Sequence, residues 1–310
     1  MSNRAIRWGI IGAGGISSKF ASDLRSVPNA ELVAVAAQSA DRARSFADRY
    51  EIPHAYGSYE ELVSRDDIDI VYIGTLHPMH KDGALLCLNA GKAVLIRTAR
   101  EKKLFLMEAM WTRYLPTIVQ TRKWIAEGTI GEVKSVTANF SFDIGFQPEH
   151  RLLNKKLGGG SLLDAGIYPV SFASMVFGEK PDKIMSTAYI GETGVDERFS
   201  ALFEYSGNRS ALLNGGVRLR MVNEAYIYGT DGYIHVPNFL WSRVAYLHRA
   251  DGVQLTINDD RKTHGYNFEA AEATRCLLEG RLESSIMPLD ETLKIMQTLD
   301  ALRRQWSLEY

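Results

Sequence analysis

A glycine-rich turn near the N-terminus is the first feature whose residue types and spacing indicate chemistry. In IRWGIIGAGGISSKF, Gly12, Gly14 and Ser17 have the G-x-G-x-x-G/A spacing between a predicted strand and a predicted helix. Gly12 permits the tight turn, Gly14 lets the backbone approach a pyrophosphate, and the helix N-terminus faces the phosphate charge. This pattern predicts a dinucleotide site at Gly12, Gly14, Gly15 and Ile16, with a purely structural glycine turn as the alternative.

The end of the second predicted strand bears on which dinucleotide binds. NAD enzymes usually place an Asp or Glu there to hold the ribose hydroxyls, whereas LVAVAAQSADR has Gln38 and Ser39 at that point. Ser39, helped by Arg42, could accept a 2′-phosphate, although Arg42 could equally be a solvated helix residue. The sequence therefore favours NADP over NAD.

A loop with two histidines follows the buried strand at residues 70–74. Thr75, His77 and His80 lie in TLHPMH, at the carboxyl end of that strand, where ligands of open α/β sheets gather. Two histidines without a third group of ligands do not predict a metal site. The alternative to a ligand-binding role is that these are ordinary residues at the start of a helix.

Asp164 and Tyr168 are the candidate proton-exchanging pair of the second half. They lie four apart in LLDAGIY, so on a helix they share a face. A tyrosine has an unperturbed pKa near 10 and needs a nearby cation to exchange a proton easily at neutral pH. The alternative is that Asp164 caps the helix and Tyr168 only packs.

Three further residues are candidates for contact with a substrate. Trp111 and Arg113 close the MEAMWTRY segment at a predicted domain junction, and Arg151 precedes the glycine-rich bend at 158–160. Core packing is the alternative for Trp111, and an exposed, unengaged position is the alternative for Arg151.

Length and composition set the frame for these residues. A chain of 310 residues with 45% hydrophobic residues is long enough for two domains. Its net charge of -1 attracts neither nucleic acid nor an anionic membrane. Cys87 and Cys276 lie far apart in helical segments, so we expect buried free thiols, and a chain start without signal-peptide features indicates the cytoplasm.

Two domains must position the candidate residues. Strand and helix alternate through 8–11, 16–24, 32–36, 40–50, 70–74, 81–90 and 93–95, which predicts a Rossmann-type parallel sheet over residues 1–110. LFLMEAMW at 104–111 is predicted as another buried strand. Residues 111–310 are predicted to form an α+β domain on a large, mostly antiparallel sheet, with strands near 133–142, 198–205, 209–217 and 224–229 and helices at 268–279 and 290–306.

Several later segments resemble the Gfo/Idh/MocA oxidoreductases, namely YIGTLHPMH, LCLNAGKAVL, LFLMEAMWTRYLP and GGGSLLDAGIYPVSF. Within that family the resemblance is to the group that acts on dihydrodiols and xylose. It implies hydride transfer between a nicotinamide and a secondary alcohol of a diol, sugar or polyol, with His77 and His80 beside the nicotinamide. It also assigns Asp164 and Tyr168 to the substrate site and implies a homodimer formed through the second sheet.

The sequence departs from the family at one catalytically important point. The resemblance implies a lysine in an E-K-P motif after GKAVL, but Leu95 is followed directly by Ile96, a shortfall of roughly fifteen residues. Either the molecule has a segment that the sequence omits, or the segment is truly absent; the length that a parallel crossover needs favours the first. True absence would favour a dinucleotide-binding sensor or regulatory protein without catalysis.

Overall fold

The computed structural model describes residues 4–92 and 103–309, in two compact units. One unit contains the chain up to Tyr114 together with Arg261–Leu289, and the other contains Leu115–Asp260 and the chain from Asp290 onward. The sequence predicted a single division at residue 110, with all later residues in one domain. The stretch Arg261–Leu289 instead packs with the first unit, because the helix it carries lies against the first helix and first strand of that unit.

The first unit is a Rossmann-type layer of parallel strands and helices. Its four strands pair in the order β3-β2-β1-β4, all parallel. Its elements are β1 (Ile6–Ile11), α1 (Gly15–Leu24), β2 (Ala30–Ala36), α2 (Ala40–Tyr50), β3 (His54–Tyr56), α3 (Tyr59–Val63), β4 (Ile70–Ile73), α4 (His80–Asn89) and, after the second unit's strands, α7 (Tyr266–Leu278). The predicted strands and helices up to residue 90 are thus confirmed.

The core of this unit forms where strand faces meet helix faces. Ile11, Ala34, Val71 and Leu88 are almost completely buried in one apolar cluster, which also contains Cys87. Cys87 and Cys276 are both buried free thiols, as predicted. Burial raises the pKa of each thiol to about 12, so neither forms a reactive thiolate near neutral pH.

The prediction of a strand over LFLMEAMW is wrong. Residues 104–110 belong to no helix or strand in the described part of the chain, and Trp111–Tyr114 forms a 3-10 turn. The apolar run indicated burial correctly, but a strand also needs a continuous ladder partner. Here the Leu106 amide donates to the Leu282 carbonyl at 3.0 Å. The strand predicted at 93–95 lies outside the described residues.

The second unit is built on an eight-stranded sheet with the order β12-β11-β10-β9-β5-β8-β7-β6. Only the β5–β8 pair is parallel, so the predicted mostly antiparallel sheet is confirmed. Its elements are α5 (Pro116–Ala126), β5 (Val133–Ser141), α6 (Ile167–Phe177), β6 (Lys183–Ile190), β7 (Asp196–Tyr205), β8 (Arg209–Gly216), β9 (Glu224–Gly229), β10 (Gly232–Pro237), β11 (Val244–Arg249), β12 (Gln254–Asn258) and α8 (Leu289–Gln305).

The two faces of this sheet differ in character. One face buries Val136, Leu213, Ile227 and Ile234, and α6 packs against strands β5 and β8. The other face carries stacked aromatic rings on β9, β10 and β11 that keep solvent exposure. The apolar stretch Lys155–Phe177 is long enough to cross a membrane, but 61% of its 18-residue apolar window is buried inside the protein, as in a core helix.

Candidate functional site

The predicted dinucleotide turn lies between β1 and α1 and depends on Gly12. Gly12 has φ +97°, a conformation that other residues rarely adopt. A Cβ atom there would lie 3.0 Å from the backbone carbon and oxygen of Gly74. The fold itself therefore requires glycine at this position, whether or not a ligand binds.

Neither backbone conformation nor packing within the protein requires glycine at positions 14 and 15. Gly14 is in ordinary extended conformation (φ −101°, ψ −176°), and a Cβ atom there would meet nothing closer than the Gly74 oxygen at 3.8 Å. A Cβ atom on Gly15 would have no protein atom within 4 Å. Because α1 begins here without a side-chain cap among the described residues, its first N–H groups are left for another acceptor, such as a pyrophosphate. Ile16 follows on the exposed side of this helix start, 46% exposed.

The side chains of Ser17 and Thr75 lie beside the glycine turn. Ser17 is fully buried, and a Cβ atom on Gly74 would collide with its Oγ, so the small third residue does keep helix and strand close. The hydroxyls of Ser17 and Thr75 are buried without a hydrogen-bond partner in residues 4–92 and 103–309. Buried polar groups usually have a partner, so both hydroxyls are suited to a polar ligand at the turn.

The end of β2 presents three exposed polar residues, Gln38, Ser39 and Arg42. Ser39 caps α2, its Oγ accepting from the Arg42 amide at 3.3 Å. The Arg42 guanidinium forms no ion pair in the described chain. It lies near Tyr59, whose phenol pKa burial raises and Arg42 lowers. Ser39 thus has a structural role, while the Arg42 cation is available to a 2′-phosphate.

The histidine loop forms a 3-10 turn at His77–Met79 that leads into α4. His80 Nε2 lies 2.9 Å from the Thr75 carbonyl oxygen, a contact that secures the loop after β4. This is the kind of hydrogen bond that the alternative of ordinary helix-start residues anticipated. No group of three metal-binding side chains occurs within the ranges that the structure describes.

Trp111 and Arg113 are buried in the first unit, only 3% and 2% exposed. The Trp111 ring stacks on Tyr266 of α7 with centroids 4.9 Å apart. Arg113 Nη1 donates to the Ile286 carbonyl at 3.5 Å. These contacts are the packing role that was the alternative for Trp111, and a substrate role for either residue stays a prediction.

In the second unit, two of the predicted residues lie together. Arg151 Nη1 donates to Asp164 Oδ1 at 2.6 Å, and the side chains are 40% and 20% exposed. Asp164 lies in a π-helical turn, Leu162–Gly166, that continues into α6; such turns are frequent at functional sites. Asp164 caps neither helical segment, since the cap positions are Ser161 and Gly166.

An aromatic cluster adjoins Tyr168 that the sequence interpretation missed. Tyr168 packs edge-on against Phe140, with centroids 5.7 Å apart. Phe140 also contacts Phe142 at 5.7 Å and Trp241, which is 39% exposed, at 5.6 Å. The spacing of two in NFSF could have indicated that Phe140 and Phe142 lie on one face. Nothing in the sequence around Trp241 indicates its place beside them.

Both halves of the chain match known family models. Residues 6–97 match the model described as "Oxidoreductase family, NAD-binding Rossmann fold", and residues 118–235 match the GFO/IDH/MocA C-terminal domain.

Curated relatives match along almost the whole chain. The Xenopus tropicalis protein "Trans-1,2-dihydrobenzene-1,2-diol dehydrogenase" is 37% identical and covers 99% of both chains. The Danio rerio and Homo sapiens proteins of the same name are 39% and 37% identical, covering 99% and 97% of this chain and 98% and 96% of their own. The Xenopus tropicalis alignment spans 330 positions, at least 20 more than the 310 residues of this chain can fill. This chain therefore has internal gaps in the alignment with this relative.

Solved structures have the same two-part fold. KijD10, a 3-ketoreductase from Actinomadura kijaniata in complex with NADP and TDP-benzene, aligns with a TM-score of 0.85 at 25% identity over 97% of this chain and 98% of its own. An aldose-aldose oxidoreductase from Caulobacter crescentus aligns with a TM-score of 0.86 at 21% identity over 97% of each chain. Full-length identity to curated relatives, matching domain models and a shared fold agree, and the chain belongs to the Gfo/Idh/MocA family of NAD-binding oxidoreductases.

Proposed function

We propose that this protein is an NADP-dependent dehydrogenase that acts on a CH–OH group of a cyclic diol, a sugar or a related polyol. The observation that carries the proposal is the start of α1, where Gly14 and Gly15 leave side-chain-free space in front of uncapped N–H groups. The names of the curated relatives support the diol as substrate class.

NADP is proposed over NAD because of the charges at the end of β2. Gln38 and Ser39 stand where an NAD enzyme would have a carboxylate, and the Arg42 cation has no ion-pair partner in the described residues. The solved structure of KijD10 with NADP supports the same choice.

The residues of the second unit would handle the substrate. A bound nicotinamide would supply or accept the hydride, and the chain's own groups would orient the substrate and move its proton. The Arg151–Asp164 pair offers a donor and an acceptor to substrate hydroxyls. Tyr168 would exchange the hydroxyl proton, and the exposed Trp241 ring, supported by the buried Phe140, would pack on an apolar ring face.

Coenzyme titration tests the cofactor. We expect NADPH to bind more tightly than NADH, and Arg42→Ala to weaken NADPH about 10–100-fold, the loss of one charge-assisted hydrogen bond, while leaving NADH unchanged. Arg44→Ala is the matched control, since Arg44 is exposed on the same helix. Equal weakening of both coenzymes would contradict the assignment to the 2′-phosphate.

Turnover tests the reaction. Absorbance of the reduced coenzyme, followed with trans-dihydrodiols, xylose and simple polyols, should rise with at least one of these substrates. Tyr168→Phe should lower kcat about 10²-fold or more without changing coenzyme affinity.

A second candidate function is a dinucleotide-binding sensor without catalysis. It is favoured by the missing E-K-P segment after Leu95. Intact mass spectrometry should give 34.7 kDa if the segment is truly absent. Tight NADPH binding at that mass, with no turnover of any diol or sugar, would favour the sensor.

The outer face of the eight-stranded sheet is a proposed homodimer surface. Tyr226 stacks on His235 at 4.2 Å, and Tyr233 stacks on His248 at 4.6 Å, which gives a broad aromatic surface with solvent exposure. Aromatic residues are enriched in protein interfaces. Sedimentation should show a dimer that Tyr233→Glu dissociates, and a monomeric parent protein would contradict the proposal.

A further inference from the structure

A buried carboxylate of the second unit lies behind the π-helical turn that carries Asp164. Asp196, the first residue of β7, is completely buried. Its Oδ2 accepts a hydrogen bond from the Ser161 hydroxyl at 2.7 Å and another from the Leu162 amide at 2.6 Å. Leu162 is the first residue of the π-helical turn and Ser161 precedes it, so a buried acid holds the start of this turn.

A β-bulge aims Asp196 at the turn. Side chains of a regular strand alternate between the two faces of the sheet, so Asp196 and Phe199, three positions apart, would lie on opposite faces. In the pairing with β6, two consecutive residues of that strand face Asp196 and Arg198, which leaves Glu197 as an extra residue in β7. The extra residue shifts the alternation by one position. Bulges are frequent beside active sites, where they re-aim a side chain.

Phe199 packs on the other end of the same turn. A Cβ atom on Gly166 would lie 2.4 Å from Cε1 of the Phe199 ring, so the ring lies directly against the Gly166 backbone. Strand β7 therefore contacts the turn at both ends, with a carboxylate at Leu162 and a ring at Gly166. A π-turn has i→i+5 hydrogen bonds in place of i→i+4, which inserts one residue into the helix. The position of Asp164 relative to Tyr168 on α6 thus depends on this turn.

The loop with Arg151 is attached to the same segment. The Gly160 amide, immediately before Ser161, donates to the Leu152 carbonyl at 2.8 Å. Leu152 follows Arg151, whose guanidinium forms the ion pair with Asp164. The positions of both members of that pair therefore depend on the segment that the buried carboxylate holds.

We propose that Asp196 is a positioning residue of the substrate site, which acts through the π-helical turn to set where the Asp164 carboxylate and the Tyr168 hydroxyl meet the alcohol. Asp196 lies behind the turn, and proton exchange stays with Tyr168. A misplacement of about 1 Å at reacting groups can cost about 10²-fold in rate, so a small shift of the turn is enough to affect turnover. The positioning role rests on the proposed dehydrogenase function, whereas the contact of Asp196 with the turn does not.

Two substitutions at residue 196 test the role of the acceptor. Asp196→Asn keeps a carbonyl oxygen for the Ser161 and Leu162 donors, which both reach one oxygen of the carboxylate. Asp196→Leu has a similar size and no acceptor. We expect Asp196→Leu to lower kcat for the alcohol about 10²-fold without changing NADPH affinity, and Asp196→Asn to lose much less. Equal losses of kcat in both variants would overturn the proposal.

Thr121→Val is the matched control. The Thr121 side chain is also completely buried in the second unit, and its Oγ1 donates to the Thr117 carbonyl on α5 at 2.8 Å. Its loss should leave kcat unchanged, and a loss of kcat equal to that of Asp196→Leu would overturn the positioning role. If Asp196→Leu does not fold, Ser161→Ala removes only one of the two hydrogen bonds and should lower kcat in the same direction by a smaller factor.

Amide hydrogen exchange tests the contact without any need for turnover. In Asp196→Leu, or in Ser161→Ala in its place, the amides of residues 161–168 should exchange faster than in the parent protein. In Thr121→Val they should keep the parent rate, while the amides of α5 exchange faster. Equal exchange of residues 161–168 in the parent protein and in the variant would overturn the contact and the positioning role together.

The combined results separate this proposal from the proposed function. Faster exchange of residues 161–168 with an unchanged kcat would overturn the positioning role and leave the dehydrogenase function standing. A parent protein that turns over no diol or sugar would overturn the enzyme and the positioning role. Faster exchange in Asp196→Leu would even then support the contact between the carboxylate and the turn.

Discussion

Asp23 offers a strong test of how the first unit holds α7 in place. Its carboxylate is 2% exposed and accepts hydrogen bonds from the amides of His264, Gly265 and Tyr266 at 3.0, 2.9 and 2.9 Å, and contacts the His264 ring at 3.0 Å. Asp23→Ala leaves three N–H groups without an acceptor at the start of the helix that carries Glu269.

The size of the loss follows from these contacts. Hydrogen bonds to a charged group contribute about 1.5–3 kcal/mol each, so three of them set an upper limit near 9 kcal/mol. Removing the carboxylate also recovers its burial cost of several kcal/mol. Water can reach the half-exposed His264 as well. We therefore expect Asp23→Ala to lower the free energy of unfolding by about 3–5 kcal/mol.

Urea unfolding followed by circular dichroism measures this loss. Asp23→Asn keeps one acceptor oxygen and should recover only part of the stability, since its amide group faces backbone donors. Asp48→Ala, an exposed aspartate on α2, should stay within about 0.5 kcal/mol of the parent protein. An Asp23→Ala midpoint equal to that of the Asp48→Ala control would refute the reasoning.

Three further predictions concern the glycine turn, the Arg151–Asp164 pair and a buried acid, Glu269. Gly12→Ala should lower the melting temperature, because Gly12 has a φ of +97° and lies close to the Gly74 backbone. Gly14→Val should leave the melting temperature nearly unchanged and abolish NADPH binding. The opposite pattern would contradict the ligand role of Gly14. Arg151→Ala should cost less than about 1 kcal/mol, because its ion pair with Asp164 is partly exposed, but should raise KM for the alcohol; an unchanged KM would remove Arg151 from the substrate site. Burial raises the pKa of Glu269, so its protonated form contributes fully to the free energy of unfolding below the unfolded pKa of about 4.3, and this contribution is lost as the pH rises through the folded pKa. Glu269→Gln should therefore gain stability relative to the parent protein as the pH rises. Parallel urea midpoints for the two proteins from pH 5 to 9 would contradict this.

The fold was largely predictable because local patterns decided it. Alternating strands and helices fixed the parallel sheet, and period-two runs such as β9, which buries Ala225 and Ile227, fixed the second sheet. The return of Arg261–Leu289 to the first unit was not predictable, because an amphipathic helix does not indicate which surface it covers. The strand prediction for LFLMEAMW was wrong for a related reason, because whether an apolar run finds a partner strand depends on residues far away in the sequence.

The site was predictable only where geometry follows from sequence spacing. The glycine turn was predicted because its conformation and its fit to a phosphate depend directly on residue type and spacing, which the sequence shows. The Arg151–Asp164 contact was not, because it joins a loop to a π-helical turn that no periodicity indicates. Trp241 and Asp196 were missed for the same reason, as their environments are set by residues far away in sequence.

The absent lysine segment makes the remaining acids and histidines more important for catalysis. A tyrosine with a pKa near 10 exchanges protons slowly at neutral pH without a cation nearby, and the family would supply that cation from the segment this chain lacks. His80, whose Nε2 is held by the Thr75 carbonyl, lies where the loop after β4 enters α4, at the edge of the sheet where ligands of such folds bind. An imidazole at that edge could take the place of the missing cation. If turnover exists without the lysine, His80→Gln should therefore abolish it more completely than Tyr168→Phe does.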